Sequence, residues 1–362
     1  MATWAPAEGD YAAEVADGRR DPSMDSLRFI AVVLVVLFHF MASITTRGGV
    51  LDSAFYATWA LRVPLLIFVS GWFSSAEPPT RRSMIRLLQS IVVVYLFFEL
   101  LQRVQIYLIN GDLRLDWDMP IFGMWFLLTI GTLRVILPYL VLVRWFGLIA
   151  IVASLLVGFA GGVQSFSIQH SVALMPIFLL GWYARQSGLR ERLQTPLVRL
   201  LAVAVLLASF AAGWALVGTL NQRMIGMHSS YRGHVLFELG MRVVLLAWAA
   251  LVVLAMLALI PRGAIPLVSI CGAGSMFAYL LHQPIQRQWR SWGGPQAVDG
   301  YLGVALLAAA AVTLAIVLML PAVRRPLRWL VQPRWLWFIR KDVVPPSMAQ
   351  PSPITSDRAG DR

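Results

Sequence analysis

The chain has 362 residues, of which 59% are hydrophobic and 13% charged, with a mean hydropathy of +0.71 and a formal net charge of +12. Soluble domains carry about 25% charged residues, so too little polar surface is available to clothe a water-soluble globule of this size. The positive charge lies in short runs between apolar blocks, which argues against nucleic acid as a partner and for topology anchors.

Residues 1–23 are Ala-rich and acidic, lack the pattern of a cleaved leader, and read as a short, poorly ordered cytosolic tail. Apolar blocks of about 17–25 residues follow, the length that crosses roughly 30 Å of hydrocarbon. We place spans near 27–46, 54–74, 87–109, 120–142, 146–163, 171–186, 197–219, 235–260, 267–288 and 298–321. Blocks such as Leu200–Leu220 and Val243–Ile260 show no strict alternation, so they read as helices rather than barrel strands. The expected fold is therefore all-α: a polytopic membrane domain over 24–321 with about ten transmembrane helices. Its basic runs are Arg19–Arg20, Arg81–Arg82–Arg86, Arg185–Arg190–Arg192–Arg199 and Arg324–Arg325–Arg328. They share one side of this topology, which puts both termini in the cytoplasm. Residues 322–341 mix Arg with Trp and read as an interfacial segment on the inner leaflet. Residues 343–362 are rich in Pro and Ser and read as disordered. No internal repeat is visible. The single cysteine, Cys271, excludes a disulfide framework, and the spacing of the histidines supports no metal site. Arg and Ala far outnumber Lys, a bias of GC-rich bacterial genomes, so the expected location is a bacterial plasma membrane.

The first span carries the sharpest chemical signal. Arg28 opens it and His39 follows eleven residues later. Eleven residues are three helical turns plus roughly 20°, so the two side chains share one face about 16 Å apart along the axis. Arg28 then sits at the cytosolic mouth and His39 just past the midplane. Asp25 is placed to pair with Arg28 or to cap the helix. A buried histidine bonded to a neighbouring helix is the plain structural reading of His39. A proton-handling role is the functional one.

The first span, Met24-Asp25-Ser26-Leu27-Arg28 through Leu37-Phe38-His39, resembles the signature of the membrane-bound acyltransferase-3 family, in its sugar O-acetyltransferase branch. Four further stretches resemble that family's elements in order: Pro64–Phe73, Met124–Leu128, Phe178–Arg185 and Ser275–Pro284. The set covers roughly residues 22–321. Two features depart from the pattern. Arg82 and Arg86 stand four apart where the family often has arginines three apart, and Phe29 replaces a frequent glycine.

The resemblance implies acyl transfer from cytosolic acyl-CoA, acetyl-CoA first among candidates, to a hydroxyl presented at the far side of the membrane. The acceptor would be a glycan, glycolipid or glycosylated small molecule. Arg28, Arg81, Arg82 and Arg86 are the expected phosphate-binding residues, because a guanidinium fork donates paired hydrogen bonds. Helical rise places His39, Arg62, Glu99, Arg242, Trp125 and His282 at similar depth, roughly 18–22 Å from the inner face. His39 is expected as general base, with a covalent acyl-histidine less favoured. Glu99 either orients His39, binds sugar hydroxyls, or forms an i,i+4 pair with Arg103. Arg62 supports the oxyanion or neutralises Glu99. Trp125, Tyr279 and His282 are expected as acceptor contacts, and helix–helix hydrogen bonds are the plain alternative for the last two. Glu238 and Arg242 read as a structural pair. The outer loops 110–119 and 221–234, with Asp112, His228 and Tyr231, receive no specific role. A transporter or lipid-saccharide flippase is the competing reading, since ten spans around a polar midplane also suit alternating access. A catalytically dead relative acting as a scaffold is the third.

Overall fold

The computed structural model describes residues 8–18, 20–44, 49–111, 116–160, 165–217, 222–227, 229–333 and 339–340. Arg19, Asp112, His228, the 343–362 tail and part of the 322–341 segment lie outside the described residues.

The described residues form helices and connecting turns, in the order α1 (Glu8–Ala16), α2 (Pro22–Met41), α3 (Val50–Ala57), α4 (Val63–Trp72), α5 (Arg81–Leu87), α6 (Val94–Asn110), α7 (Trp125–Leu140), α8 (Phe146–Leu156) and α9 (Ile168–Gln186). Then come α10 (Leu189–Arg192), α11 (Pro196–Ala215), α12 (Gln222–Ile225), α13 (Val235–Leu259), α14 (Val268–Gly272), α15 (Ser275–Ser291), α16 (Gly300–Met319) and α17 (Pro321–Val331). A π-helical stretch, Leu88–Val93, joins α5 to α6 into one long rod.

Seven of these helices, counting rods joined end to end, are long and apolar enough to cross a membrane. An eighth is added if α3 and α4 are one span bent by 52°. The other two expected spans answer to Phe146–Phe159, which is short, and to α14–α15, whose second helix is too polar on average to qualify. The surface is inside-out relative to a soluble protein. Leu142, Leu200, Leu207 and Leu302 are exposed, and α11 and α16 turn most of their apolar residues outward, as lipid-facing helices do.

At the centre stands α2, packed by α4, α14, α15 and α16. Asp21 caps it, accepting from the backbone N–H of Ser23 and Met24, and Pro22 occupies the first turn. Because α2 ends at Met41 rather than near 46, His39 lies in its last turn. The α14–α15 segment runs parallel to α2: Ser269 Oγ of α14 meets Ser26 Oγ at 2.8 Å, and in α15 His282 meets His39 and Gln286 meets Ser43.

One end of the bundle, the N-terminal face, gathers α1 and α17. Residues 8–16 are helical and Tyr11 is buried, so the poorly ordered tail expected over 1–23 does not describe this stretch. The cause is local chemistry. The Tyr11 hydroxyl donates to Asp25 at 3.2 Å, and Arg20 bridges Glu14 at 2.6 Å and Asp25 at 3.3 Å. Burial and the neighbouring Asp25 carboxylate push the Tyr11 phenol up, which keeps it a donor. Arg324 of α17 is buried in the same region, within electrostatic range of Asp25, Arg20 and Cys271.

Candidate functional site

The parallel packing of α2 and α15 brings two imidazoles edge to edge, close to coplanar. His39 Nδ1 and His282 Nε2 are 2.7 Å apart, with ring centroids 5.0 Å apart and planes 21° from parallel. His282 Nδ1 lies 2.7 Å from the carbonyl oxygen of Ala278. A carbonyl only accepts, so this nitrogen carries the proton. With both rings neutral, His282 Nε2 is then an acceptor, His39 Nδ1–H donates to it, and His39 Nε2 is left with its lone pair. The arrangement fixes the tautomer a general base requires.

Around this pair the site is built from three elements. The Arg62 guanidinium stands over the rings of Phe55 (4.1 Å) and Phe38 (4.8 Å) and donates to the Phe55 carbonyl at 2.7 Å. It lies within electrostatic range of His39, it is buried, and its Nε has no hydrogen-bond partner. Arg62 occupies the break between α3 and α4, with φ −98° and ψ −102°. Non-helical backbone at this depth is tolerated where it is enclosed by protein. Phe122 packs on the His39 ring at 5.0 Å and has a positive φ of 39°, a conformation rare for a bulky residue. Tyr279 sits edge-on to His282 at 6.2 Å, and its hydroxyl donates to the Gly123 carbonyl at 2.7 Å.

Glu99 is not in that first circle. Arg103 donates to it at 2.7 Å, and the Ile121 N–H reaches both carboxylate oxygens at 3.1 Å. Arg103 also donates to the Asp116 and Met119 carbonyls, at 2.6 and 3.0 Å, and Tyr95 donates to the Trp117 carbonyl at 2.8 Å. Together these bonds staple the 116–124 loop to α6 and so hold Phe122 against His39. Glu99 thus reaches the imidazole pair through the backbone of its neighbour, and the i,i+4 pair with Arg103 is present. Trp125, in the first turn of α7, stacks on His170 at 4.0 Å.

Of the six groups placed at similar depth by helical rise, His39, His282 and Arg62 converge. Arg242 is a packing anchor. It donates to the Ser154 and Ser229 carbonyls, at 3.1 and 2.9 Å, and lies over Tyr231 at 4.9 Å. Glu238 accepts from the Arg232 N–H at 3.0 Å.

At the N-terminal face, Arg28 donates to Asp25 at 3.0 Å and lies 4.5 Å over Phe73. Arg185 shares that ring at 6.0 Å and donates to the Trp72 carbonyl at 3.1 Å. Arg134 on α7 is within electrostatic range of Arg28, and its Nε is buried without a partner. Of the predicted phosphate ligands, Arg81 and Arg86 are exposed on the rod that carries Arg82, whose Nε is also buried and unpartnered.

Three residues were missed from sequence. Arg134 was one arginine in an apolar helix, and its position inside a span was the only available signal. Arg185 reads from sequence as a topology anchor. Gln283 lies beside His282, is 1% exposed, and leaves both amide atoms unpartnered. It is tucked against Gly123, where a Cβ would collide with its amide. An unpartnered buried amide is costly, so Gln283 is left with unused hydrogen-bonding capacity next to His282 in the chain.

The arrangement can therefore hold a proton acceptor, a buried cation and a free amide at one end of α2, with a basic basin at the other end, about 16 Å away along the helix. No curated protein and no solved structure matches the chain. The family described as acyltransferase domain matches residues 21–321, most of the chain including every residue of this site, and the protein belongs to that family of membrane acyltransferases.

Proposed function

We propose that the protein moves an acetyl group from cytosolic acetyl-CoA to a hydroxyl of a saccharide-containing acceptor at the extracytoplasmic side of a bacterial plasma membrane. The basic N-terminal face is then the cytosolic one, as the positive-inside rule requires, and the donor's phosphates meet Arg28, Arg134 and Arg185. Arg81, Arg82 and Arg86 supply charge at the rim. The acyl arm follows the face of α2 toward His39.

His39 Nε2 takes the acceptor hydroxyl's proton as its oxygen attacks the thioester carbonyl. A tetrahedral oxyanion forms, with Arg62 as the nearest cation and its free Nε–H as a donor. The carbon–sulfur bond then breaks, and the leaving thiolate collects the proton from the His39 imidazolium. The products are the ester and free CoA, and the base is regenerated. Gln283 contacts the acceptor, and Tyr279 and Trp125 hold the walls of its site. Glu99 keeps Phe122 and the 116–124 loop in place.

The observation that carries this reading is the hydrogen-bonded chain from Ala278 through His282 to His39, which leaves a lone pair on His39 Nε2. Release of CoA from acetyl-CoA by the purified protein tests it. A folded protein that neither binds nor consumes any acyl-CoA contradicts it.

A further inference from the structure

The far end of the molecule contains a cavity of about 410 Å³ between the ends of α6 and α15, within the range of small-ligand sites. Two of its walls are neighbours of His39. Phe122 packs on the imidazole at 5.0 Å, and Gln286 donates to the His39 carbonyl at 3.0 Å. The helix that carries Gln286 also gives the cavity a cationic lining. Arg287 and Arg290, three residues apart on one face of α15, both line it.

The Arg287 fork is pre-oriented by Gln102, which accepts through its side chain at 3.1 Å and its backbone carbonyl at 3.4 Å. Arg290 is exposed and lies in the field of Arg287. Among the described residues, no carboxylate lines the cavity. The nearby Glu99 is committed to Arg103 and Ile121. Paired arginines at this end also run against the charge bias of an extracytoplasmic surface, so topology does not explain them.

We infer that this cavity is the acceptor subsite and that it selects a saccharide bearing an anionic group, a phosphate or a carboxylate, gripped by Arg287 and Arg290. The inference rests on the acyltransferase reading above and narrows its acceptor class. The geometry also sets a spacing. Arg287 and Arg290 stand five and eight residues beyond His282, about 8 and 12 Å along the helix. The hydroxyl that reacts is therefore one or two sugar units from the anion.

The test is calorimetric titration of the full-length protein in detergent with glucose, glucuronate and glucose 1-phosphate at low and high salt. CoA release from acetyl-CoA is measured in the same preparation. We expect glucuronate or glucose 1-phosphate to bind at least about tenfold more tightly than glucose, with salt reducing the difference. Whichever of the two binds better identifies the anion as carboxylate or phosphate. Arg290→Glu is expected to reverse the preference toward glucosamine, a gain that a misfolded protein does not show. Equal binding of charged and neutral sugars overturns the inference, as does a preference that Arg290→Glu leaves unmoved. Absence of CoA release counts separately, against the acyltransferase reading.

Discussion

His39 donates through Nδ1 to His282 Nε2 across 2.7 Å, and His282 in turn donates to the Ala278 carbonyl. Two residues that are 243 apart in sequence thus form one proton-handling unit. Replacing His282 by Phe keeps an aromatic ring but removes the acceptor nitrogen and frees the His39 tautomer. The expected result is a fall in kcat on the order of 10²-fold or more, with the KM for acetyl-CoA little changed. Activity falls toward acid pH in the wild type, because protonation of either imidazole destroys the lone pair. Steady-state kinetics over pH 5–9 check both statements.

The Glu99 staple makes a different prediction. Glu99→Ala takes from the buried Arg103 its carboxylate partner and frees the Ile121 N–H. Removing one partner of a buried ion pair costs about 3–5 kcal/mol. A lower Tm should accompany a lower kcat, since Phe122 loses its hold against His39. Glu99→Gln retains hydrogen bonding and should recover much of the Tm. A residue acting directly on the imidazole would lose activity without losing stability.

Packing of α4 on α9 depends on two reciprocal close approaches. A Cβ at Gly71 would fall on the Phe178 carbonyl, and one at Gly181 on the Phe68 carbonyl. Small residues that let membrane helices touch backbone to backbone are a general device. Gly71→Ala or Gly181→Ala is expected to destabilise by about 1–3 kcal/mol or more, visible as loss of monodisperse protein after extraction. Alanine at the exposed Gly147, where a Cβ meets nothing within 4 Å, is the control expected to behave as wild type.

Asp25 is the hub of the N-terminal face, accepting from Tyr11, Arg20 and Arg28. Asp25→Asn removes the charge that holds Arg28 over Phe73. The expected outcome is a rise of about tenfold in the KM for acetyl-CoA with kcat nearly unchanged. A drop in kcat at constant KM would detach Arg28 from donor binding.

Much of this was legible beforehand, for physical reasons. Long apolar blocks admit few structures in a bilayer, so the helical character of Pro196–Ala215 or Val235–Leu259 followed from composition. Helical period alone put Arg28 and His39 on one face of α2. What sequence did not resolve were contacts set by tertiary packing. Helical rise gave Glu99 and Arg242 the same depth as His39, but depth carries no azimuth. Both turned out to face loops and neighbouring carbonyls instead of the imidazoles. Arg62 reached His39 because the chain breaks between α3 and α4, a bend that apolar periodicity does not encode. The docking of α1 was invisible because it depends on Tyr11 and Arg20 meeting a carboxylate on another helix.

The central claim is that His39 is the base. Purified wild type and His39→Ala should be compared for acetyl-CoA binding and for release of CoA, each protein first shown to be folded. The account predicts that His39→Ala keeps donor affinity within about twofold and loses turnover on the order of 10²–10⁴-fold. A folded His39→Ala protein that still released CoA at the wild-type rate would contradict it.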